Sequence, residues 1–411
     1  MRRACMLYQL FQPMTDAASV LRVSASMGRS LLDRLPPALA GSLPVRSARA
    51  ACQLAEDTRL THVRPAFGIE HVAVEGVETP VFEQVVDRTP FGSLLHFAKD
   101  DEFVQPKVLV VAPMSGHFAT LLRPTVRTLL ADHDVYVTDW HNGRDVATIE
   151  GAFGFDDYVE HVIRFLEAIG TECHVLSVCQ PCPSALVAAS VMAQGNHPLQ
   201  PRSLTLMAGP VDARVNPTKV NELATSRTIE WFEKFVIATV PHRYAGAGRR
   251  VYPGFLQITA FMSMNVERHA RSHIDMFGMG TRGDSADALI ARRSFYDEYY
   301  AVLDIPAEFY LDTVRSVFQE FDLARGVQHY DGRRVEPRAM RRTALMTVEG
   351  ERDDICAVGQ TLAAHDLCTS VPAPRRQHHL QVGVGHYGVF SGSRWEHEIY
   401  PRFRHFVVAN S

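Results

Sequence analysis

The stretch LSVCQP, residues 176–181, ends an apolar run with a thiol, that of Cys179. In a nucleophile elbow, a strand turns sharply into a helix, and small residues two positions before and after the nucleophile leave it exposed above a sheet. Ser177 is the small residue before the thiol, and Pro181 stands after it, where a proline can open a helix. The start of that helix would favour a thiolate. Taken alone, the pattern fits an inert buried cysteine equally well.

An acid and a histidine follow later in the chain, in the order nucleophile, acid, histidine that such a site requires. Two acids compete after a late apolar run, and the one two residues before an apolar residue is Asp353 rather than Asp354. His386 follows the last such run and has glycines near it on both sides, which leave it free to approach the thiol. We predict a triad with Cys179 as nucleophile, His386 as general base and Asp353 as the group that orients the histidine.

Backbone N–H groups would stabilise the oxyanion that forms during acyl transfer. The N–H of Gln180, next to the thiol, is the first candidate donor. The second should lie in the turn after the run at 107–114, where we choose Ser115 and keep Met114 as the alternative. His117 in the same turn could line a pocket but needs no role.

Cys179 and Cys182 also form a C-x-x-C pattern, which occurs in zinc and redox sites. No second cysteine pair completes a zinc site, and the length and organisation of the chain differ from those of a thioredoxin. Seven cysteines at irregular spacings do not indicate a disulfide framework and favour a reducing compartment. The acyl-transfer chemistry needs no metal and no cofactor.

Alternating strands and helices place these residues at one edge of a sheet. Strands are predicted from apolar, β-branched runs at 107–114, 133–140, 173–179, 202–209, 342–350 and 376–386. An amphipathic helix is predicted at 155–170, with acids early and a glycine at its end. This alternation is typical of a mostly parallel, doubly wound α/β sheet, in which ligands bind beyond the carboxyl ends of the strands. We therefore predict an α/β-hydrolase fold.

We divide the chain into four segments. They are an N-terminal helical extension (1–66), the first part of the core (67–210), a helical cap (211–340) and the second part of the core (341–411). The third segment is rich in Met, Phe, Tyr and Trp and shows no clear buried strand. We expect it to cover the site as a cap inserted between late strands, with a separate helical domain as the alternative. Residues 6–34 predict an amphipathic helix, and Glu75-Gly76 predicts the turn of a hairpin.

Composition narrows the class of protein. Apolar residues make up 46% and charged residues 21% of 411, so the chain can bury a large core. A net charge of -4 gives no electrostatic footprint for nucleic acid. The N-terminus has two arginines but lacks the apolar region of a signal peptide, and no stretch is long enough for a transmembrane helix. We expect a cytoplasmic protein whose start is Met1 or Met6.

Five motifs, VCQPC, APMSGHFATLLR, YVTDWHNGRDV, TVEGERDDI and GVGHYGVFSGSRW, resemble the intracellular polyhydroxybutyrate depolymerases of bacteria that store polyester granules. The resemblance runs from about residue 6 to the end. It implies an α/β-hydrolase fold, a triad at Cys179, Asp353 and His386, and hydrolysis of the polymer to 3-hydroxybutyrate oligomers and monomer. The implied partner is the polymer granule, with CoA as an alternative acyl acceptor, and the implied location is the granule surface in the cytoplasm.

Two other functions fit the same residues. A polyhydroxyalkanoate synthase shares the fold and the triad but transfers the acyl chain to a growing polymer. Its elbow resembles Gly-x-Cys-x-Gly, whereas Ser177 and Pro181 flank the thiol here, which favours a depolymerase. A granule-coat protein on a degenerate hydrolase fold would need no triad. The oligomeric state stays open.

Overall fold

The computed structural model of the chain describes residues 6–57, 60–99, 103–264, 271, 274–279, 281 and 295–411. In chain order the strands are β1 (His71–Val74), β2 (Val77–Pro80), β3 (Phe82–Arg88), β4 (Gly92–Ala98), β5 (Lys107–Val111), β6 (Asp134–Trp140), β7 (Cys173–Val178), β8 (Ser203–Met207), β9 (Ala238–Thr239), β10 (Arg250–Tyr252), β11 (Ile305–Pro306), β12 (His329–Tyr330), β13 (Arg333–Arg334), β14 (Ala344–Gly350) and β15 (Arg376–Gln381). The α-helices are α1 (Met6–Asp33), α2 (Pro37–Ala40), α3 (Leu43–Asp57), α4 (Arg123–Leu129), α5 (Phe155–Ile169), α6 (Cys182–Gln194), α7 (Lys219–Thr225), α8 (Ile229–Phe235), α9 (Gly254–Met264), α10 (Ala307–Thr313), α11 (Asp322–Arg325), α12 (Ala364–Leu367), α13 (Gly392–Arg394) and α14 (Tyr400–Ala409). None of the helices in these ranges is both long and apolar enough to cross a membrane.

The central sheet has eight strands in the order β15-β14-β8-β7-β5-β6-β4-β3. The strands from β15 to β6 are parallel, and β4 and β3 add an antiparallel edge. In this order β5 lies between β6 and β7. After β5 the chain therefore continues on one side of that strand, to β6, and the later strands from β7 onward are added on its other side. The loops after β5 and β7 therefore diverge and open a crevice at the carboxyl ends of the strands.

Helices cover both faces of this sheet. Leu109 and Val111 of β5 belong to the apolar cluster shared with α5 and α6. Val108 and Val110, which point the other way, belong to the cluster shared with α4 and α14. Every residue of β7 and β14 is buried, as expected for strands enclosed between two layers of helices.

The strands predicted from apolar runs are confirmed as β5, β6, β7, β8, β14 and β15, and the Glu75-Gly76 turn joins β1 to β2. β4, which lies in the sheet between β6 and β3, was not among the strands predicted from the sequence. The close approach of β4 to β6 explains why β4 begins with a glycine, because a Cβ on Gly92 would lie 2.9 Å from the Trp140 ring.

The interval 211–340 is not purely helical, which corrects the expectation that it lacks strands. β9, β10 and β11 form a small antiparallel sheet, and β12 pairs with β13. Each strand is two or three residues long, too short to show an alternating pattern. The division into four segments stays a prediction.

The N-terminal extension contains a second long helix, α3, in a stretch for which the sequence predicted no element. Two ion pairs join it to α1, Arg49 to Asp33 at 2.7 Å and Arg29 to Glu56 at 3.1 Å. Tyr8 of α1 is buried against Phe255 of α9, with ring centroids 5.7 Å apart.

Candidate active site

The chain turns sharply at Cys179, between the end of β7 and the start of α6. The φ angle of Cys179 is 66°, in the left-handed region that residues with a Cβ rarely adopt. The Cys179 N–H donates to the Met207 oxygen at 2.8 Å, and the Cys182 N–H donates to the Cys179 oxygen at 3.2 Å. These bonds hold the strained turn on both sides, and the thiol is half-buried. The geometry is that of a nucleophile elbow.

The elbow lies directly against Gly209, the second residue after β8. A Cβ on Gly209 would lie 2.2 Å from the Cys182 sulfur and 2.4 Å from the Cys179 oxygen, so only glycine fits there. Thr361 braces Gly209, since its hydroxyl accepts the Gly209 N–H at 3.0 Å and donates to the Gly209 oxygen at 2.9 Å.

A buried carboxylate fixes the segment that carries Thr361. Glu349, near the end of β14, is fully buried and accepts the N–H groups of Gly359, Thr361 and Leu362 at 2.8–2.9 Å. Glu349 was not among the site residues predicted from the sequence, in which it precedes the acids of the loop after β14. The available signal was its place inside the apolar strand, because a buried acid needs donors around it. We assign it a positioning role beneath the elbow.

The imidazole of His386 lies between Cys179 and Asp353. Its Nε2 is 3.1 Å from the Cys179 sulfur, and its Nδ1 is 2.8 Å from Asp353 Oδ2. The other carboxylate oxygen of Asp353 accepts the N–H groups of Ile355 at 2.9 Å and Cys356 at 2.8 Å, which fixes its orientation. The structure thus brings together the three residues of the predicted triad.

Burial alone would lower the pKa of His386, but the charges and hydrogen bonds of Asp353 and Cys179 outweigh it and raise the pKa well above its usual value. The site therefore favours the protonated form of this imidazole, as a general base at this position requires. The alternative acid, Asp354, is exposed to solvent, whereas Asp353 is buried.

Cys182 is a core residue in the first turn of α6. Its thiol is fully buried and donates to the Ser177 oxygen at 3.3 Å. Burial raises the pKa of Cys182 to about 12, so the thiol stays protonated. Among the described residues, no group of three or more His, Cys, Asp or Glu side chains is arranged to hold a metal ion.

The predicted oxyanion donors, Gln180 and Ser115, both line the cavity at Cys179. In the described part of the chain, neither backbone N–H donates to a protein acceptor. The N–H of Met114, the alternative donor, is instead bonded to the side-chain oxygen of Gln180 at 3.1 Å. His117 is buried beside Tyr299 and is not among the residues that line the cavity.

The turn that carries Ser115 is braced at its first residue, Ala112. The Ala112 N–H donates to the Thr138 hydroxyl at 2.9 Å, and the Ala112 oxygen accepts from Trp140 Nε1 and from the Tyr158 hydroxyl, both at 2.8 Å. Such fixed backbone donors can stabilise developing charge without having to reorganise.

A cavity of about 450 Å³ adjoins Cys179, within the range of roughly 300–1,000 Å³ that is usual for ligand sites. Its wall is mostly apolar and includes side chains of α7, α8, α9 and α10 from the 211–340 interval. Tyr252 and Tyr310 stack in this wall with ring centroids 4.0 Å apart. Acyl transfer to a thiol in an apolar pocket is the chemistry that this arrangement can support.

Renumbered from β3 to β15, the central sheet has the order 1-2-4-3-5-6-7-8, with the thiol after the fifth strand, the acid after the seventh and the histidine after the eighth. This sheet and its elbow define an α/β-hydrolase. Residues 208–411 match the family model described as "PHB de-polymerase C-terminus", where PHB is polyhydroxybutyrate. Together with the fold and the elbow, this match makes the chain an ester hydrolase and supports its membership of the depolymerase family.

Solved structures with a similar arrangement come from several hydrolases. A carboxylesterase of Nitrososphaera gargenis is 13% identical, with a TM-score of 0.43 over 81% of this chain and 100% of its own. An epoxide hydrolase of Bacillus megaterium is 12% identical, with a TM-score of 0.45 over 82% of this chain and 99% of its own. No curated protein matches the sequence.

Proposed function

We propose that this protein hydrolyses the ester bonds of stored polyhydroxybutyrate granules to 3-hydroxybutyrate oligomers and monomer. The observation that carries the proposal is the contact series from Cys179 through His386 to Asp353, with separations of 3.1 Å and 2.8 Å. It lies beside an apolar cavity, in a chain that matches the polyhydroxybutyrate depolymerase family. The corresponding location is the surface of the granule in the cytoplasm.

The first half of the reaction forms a thioester. His386 Nε2 takes the thiol proton, and the Cys179 sulfur forms a bond to an ester carbonyl carbon. The negative charge moves to the carbonyl oxygen, where the N–H groups of Gln180 and Ser115 stabilise it. The carbon–oxygen ester bond then breaks, and the departing alkoxide takes the proton from His386.

The second half releases the acyl group to water. His386 accepts a proton from a water molecule, whose oxygen attacks the thioester carbonyl carbon. The carbon–sulfur bond breaks, the hydroxyacid leaves, and the Cys179 sulfur takes the proton from His386, which restores the starting thiol and imidazole. Throughout, Asp353 holds Nδ1 and stabilises the imidazolium.

The cavity wall suits a polyester better than a polar polymer. Its lining is mostly apolar, and side chains such as Phe232 and Phe309 can contact methyl and methylene groups. A polysaccharide or peptide would bring many hydroxyl or amide groups that such a wall cannot pair.

The test is release of 3-hydroxybutyrate from amorphous polyhydroxybutyrate granules by the unmodified protein, by Cys179→Ala and by Cys182→Ala. Each variant removes one thiol of the C-x-x-C pattern, and Cys182 lies in the core, so it is the matched control. We expect Cys179→Ala to lose release while keeping its circular dichroism spectrum, and Cys182→Ala to retain release. Undiminished release by Cys179→Ala would remove this thiol from the mechanism and leave a non-catalytic granule protein as the alternative.

Two further assays distinguish water from the other possible acyl acceptors, which are CoA and a growing polymer chain. Granules incubated with and without CoA show whether acyl groups pass to CoA instead of water. Incubation with 3-hydroxybutyryl-CoA shows whether the protein extends a chain, and polymer formation with CoA release would establish the synthase alternative in place of hydrolysis.

A further inference from the structure

One cation lies in the otherwise uncharged wall of the cavity. Lys219, the first residue of α7, is the only charged residue among the described ones that line it. Other cations of the same interval are paired, Arg214 with Asp212 at 2.8 Å and Arg250 with Glu233 at 2.7 Å. No acidic side chain in the described ranges forms an ion pair with Lys219. The amine is therefore open to an anion of a ligand as far as the described residues are concerned.

The helix that carries Lys219 is anchored to the segment of the candidate acid. The Thr218 hydroxyl donates to the Ile355 oxygen at 3.1 Å. The Asn221 side-chain oxygen accepts the Thr218 N–H at 2.7 Å and the amide of Gln360 at 2.9 Å. With its backbone fixed between these partners, Lys219 is held at the cavity wall, where the residue is also exposed to solvent.

Two buried polar atoms in the wall are independent signs of a polar ligand. The hydroxyl of Thr313 and the side-chain nitrogen of Gln180 have no hydrogen-bond partner among the described residues. Thr313 is only 8% exposed, and both residues line the cavity. Unpaired buried donors are costly unless a ligand supplies acceptors, and ester carbonyl oxygens are acceptors of the right kind.

We propose that Lys219 binds the free carboxylate at the end of a 3-hydroxyacid oligomer in the cavity. The inference rests on the proposed function and names the chain end that the site selects. A linear oligomer has one hydroxyl end and one carboxylate end, and attack at an internal ester carbonyl leaves the carboxylate on the departing half. Lys219 therefore belongs to the subsite of the leaving hydroxyacid. The enzyme favours soluble oligomers with a free acid end over esterified ones.

The experiment compares a 3-hydroxybutyrate trimer with its methyl ester, which removes only the terminal charge. The readout is the ratio of kcat/KM for the free acid to that for the methyl ester. We expect Lys219→Gln to lower this ratio roughly twofold to fivefold, the size of effect of a solvent-exposed ion pair, mainly through KM. Lys219→Arg keeps the ratio, and 1 M salt lowers it in the unmodified protein. Lys234→Gln, a neutralised exposed lysine on α8 that does not line the cavity, leaves it unchanged.

Each other outcome counts against a defined part of the proposal. An unchanged ratio in an active Lys219→Gln variant overturns carboxylate binding, and so does an equal loss for both substrates, which indicates a structural role. A change seen only in CoA-dependent release assigns the amine to a CoA phosphate instead. If the unmodified protein hydrolyses neither substrate, the proposed ester hydrolysis of these chains fails together with the subsite.

Discussion

The side-chain oxygen of Gln180 accepts the backbone N–H of Met114 at 3.1 Å, so the residue after the candidate nucleophile ties the elbow to the turn after β5. This bond spans the crevice between two strands that are neighbours in the sheet. It fixes the separation between the N–H groups of Gln180 and Ser115, which are the two predicted oxyanion donors.

Gln180→Ala should therefore impair catalysis without unfolding the protein. The substitution keeps the backbone N–H of residue 180 but releases Met114 and loosens the turn that carries Ser115. We expect kcat/KM on a soluble 3-hydroxybutyrate ester to fall about 10- to 100-fold, since small misplacements of a reacting group have effects of this size. Gln200→Ala, which removes a side chain bonded to His197 far from the site, is the control. Equal activity of the two variants would show that the bond has no catalytic role.

Asp353→Asn should lower kcat by about 10³- to 10⁴-fold, the size of effect seen when the acid of a triad becomes an amide. An amide nitrogen in place of Oδ2 cannot accept from His386 Nδ1, and the loss of the negative charge removes a main cause of the raised pKa of His386. The matched control is Asp354→Asn at the neighbouring, exposed position, which should remain active. The reverse ranking of the two variants would identify Asp354 as the acid of the site.

Gly209→Ala should destabilise the fold and abolish activity together. The added methyl group would overlap the Cys182 side chain and the Cys179 oxygen, so the elbow or β8 must move. We expect a loss of about 1–3 kcal/mol in the free energy of unfolding by urea, the usual cost of overpacking. Gly195→Ala is the control, because its Cβ would lie no closer than 3.6 Å to any neighbour. Similar stability of the two variants would contradict this close approach.

The melting temperature of Asp304→Asn should increase relative to that of the unmodified protein as the pH rises. Asp304 accepts the Gly254 N–H at 2.8 Å and lies 3.2 Å from His62 Nε2. Burial raises the pKa of Asp304 from 3.8 to about 7, only partly opposed by the Gly254 hydrogen bond. Burial, with the nearby Arg144, lowers the pKa of His62 to about 3, so this histidine is neutral at pH 7.

The sign follows from proton linkage. With its folded pKa above its unfolded one, Asp304 contributes stability that is fully present below pH 3.8 and is lost as the pH rises toward 7, by about 1.4 kcal/mol per unit of pKa difference. An asparagine keeps the hydrogen-bonding shape and titrates no proton. Thermal unfolding at pH 5, 6, 7 and 8 should show the melting temperature of Asp304→Asn gaining on that of the unmodified protein, while the exposed Asp366→Asn does not gain. A constant difference would show that the pKa of folded Asp304 is not raised into this range and that its carboxyl is already ionised at pH 5.

Much of the fold could be predicted because strands buried on both faces are apolar without interruption. That pattern located β5, β6, β7, β8, β14 and β15, and hence the strand ends at which Cys179, Asp353 and His386 stand. It failed for β4 and for the short strands of the 211–340 interval, which are held by neighbours rather than by their own pattern. The catalytic roles of the three residues stay predictions until they are tested by substitution.

By itself the sequence determined the order of thiol, acid and histidine, the buried strands that end beside them and the resemblance to a depolymerase family. The tertiary structure alone decided the contact of Asp353 with His386, which N–H groups are free for an oxyanion, and that Glu349, Gly209 and Lys219 lie around the same cavity and elbow. The reason is physical. Strand and turn signals arise from residues close together in the chain, whereas a clash, a shared hydrogen bond or an unpaired charge depends on residues that only folding makes neighbours.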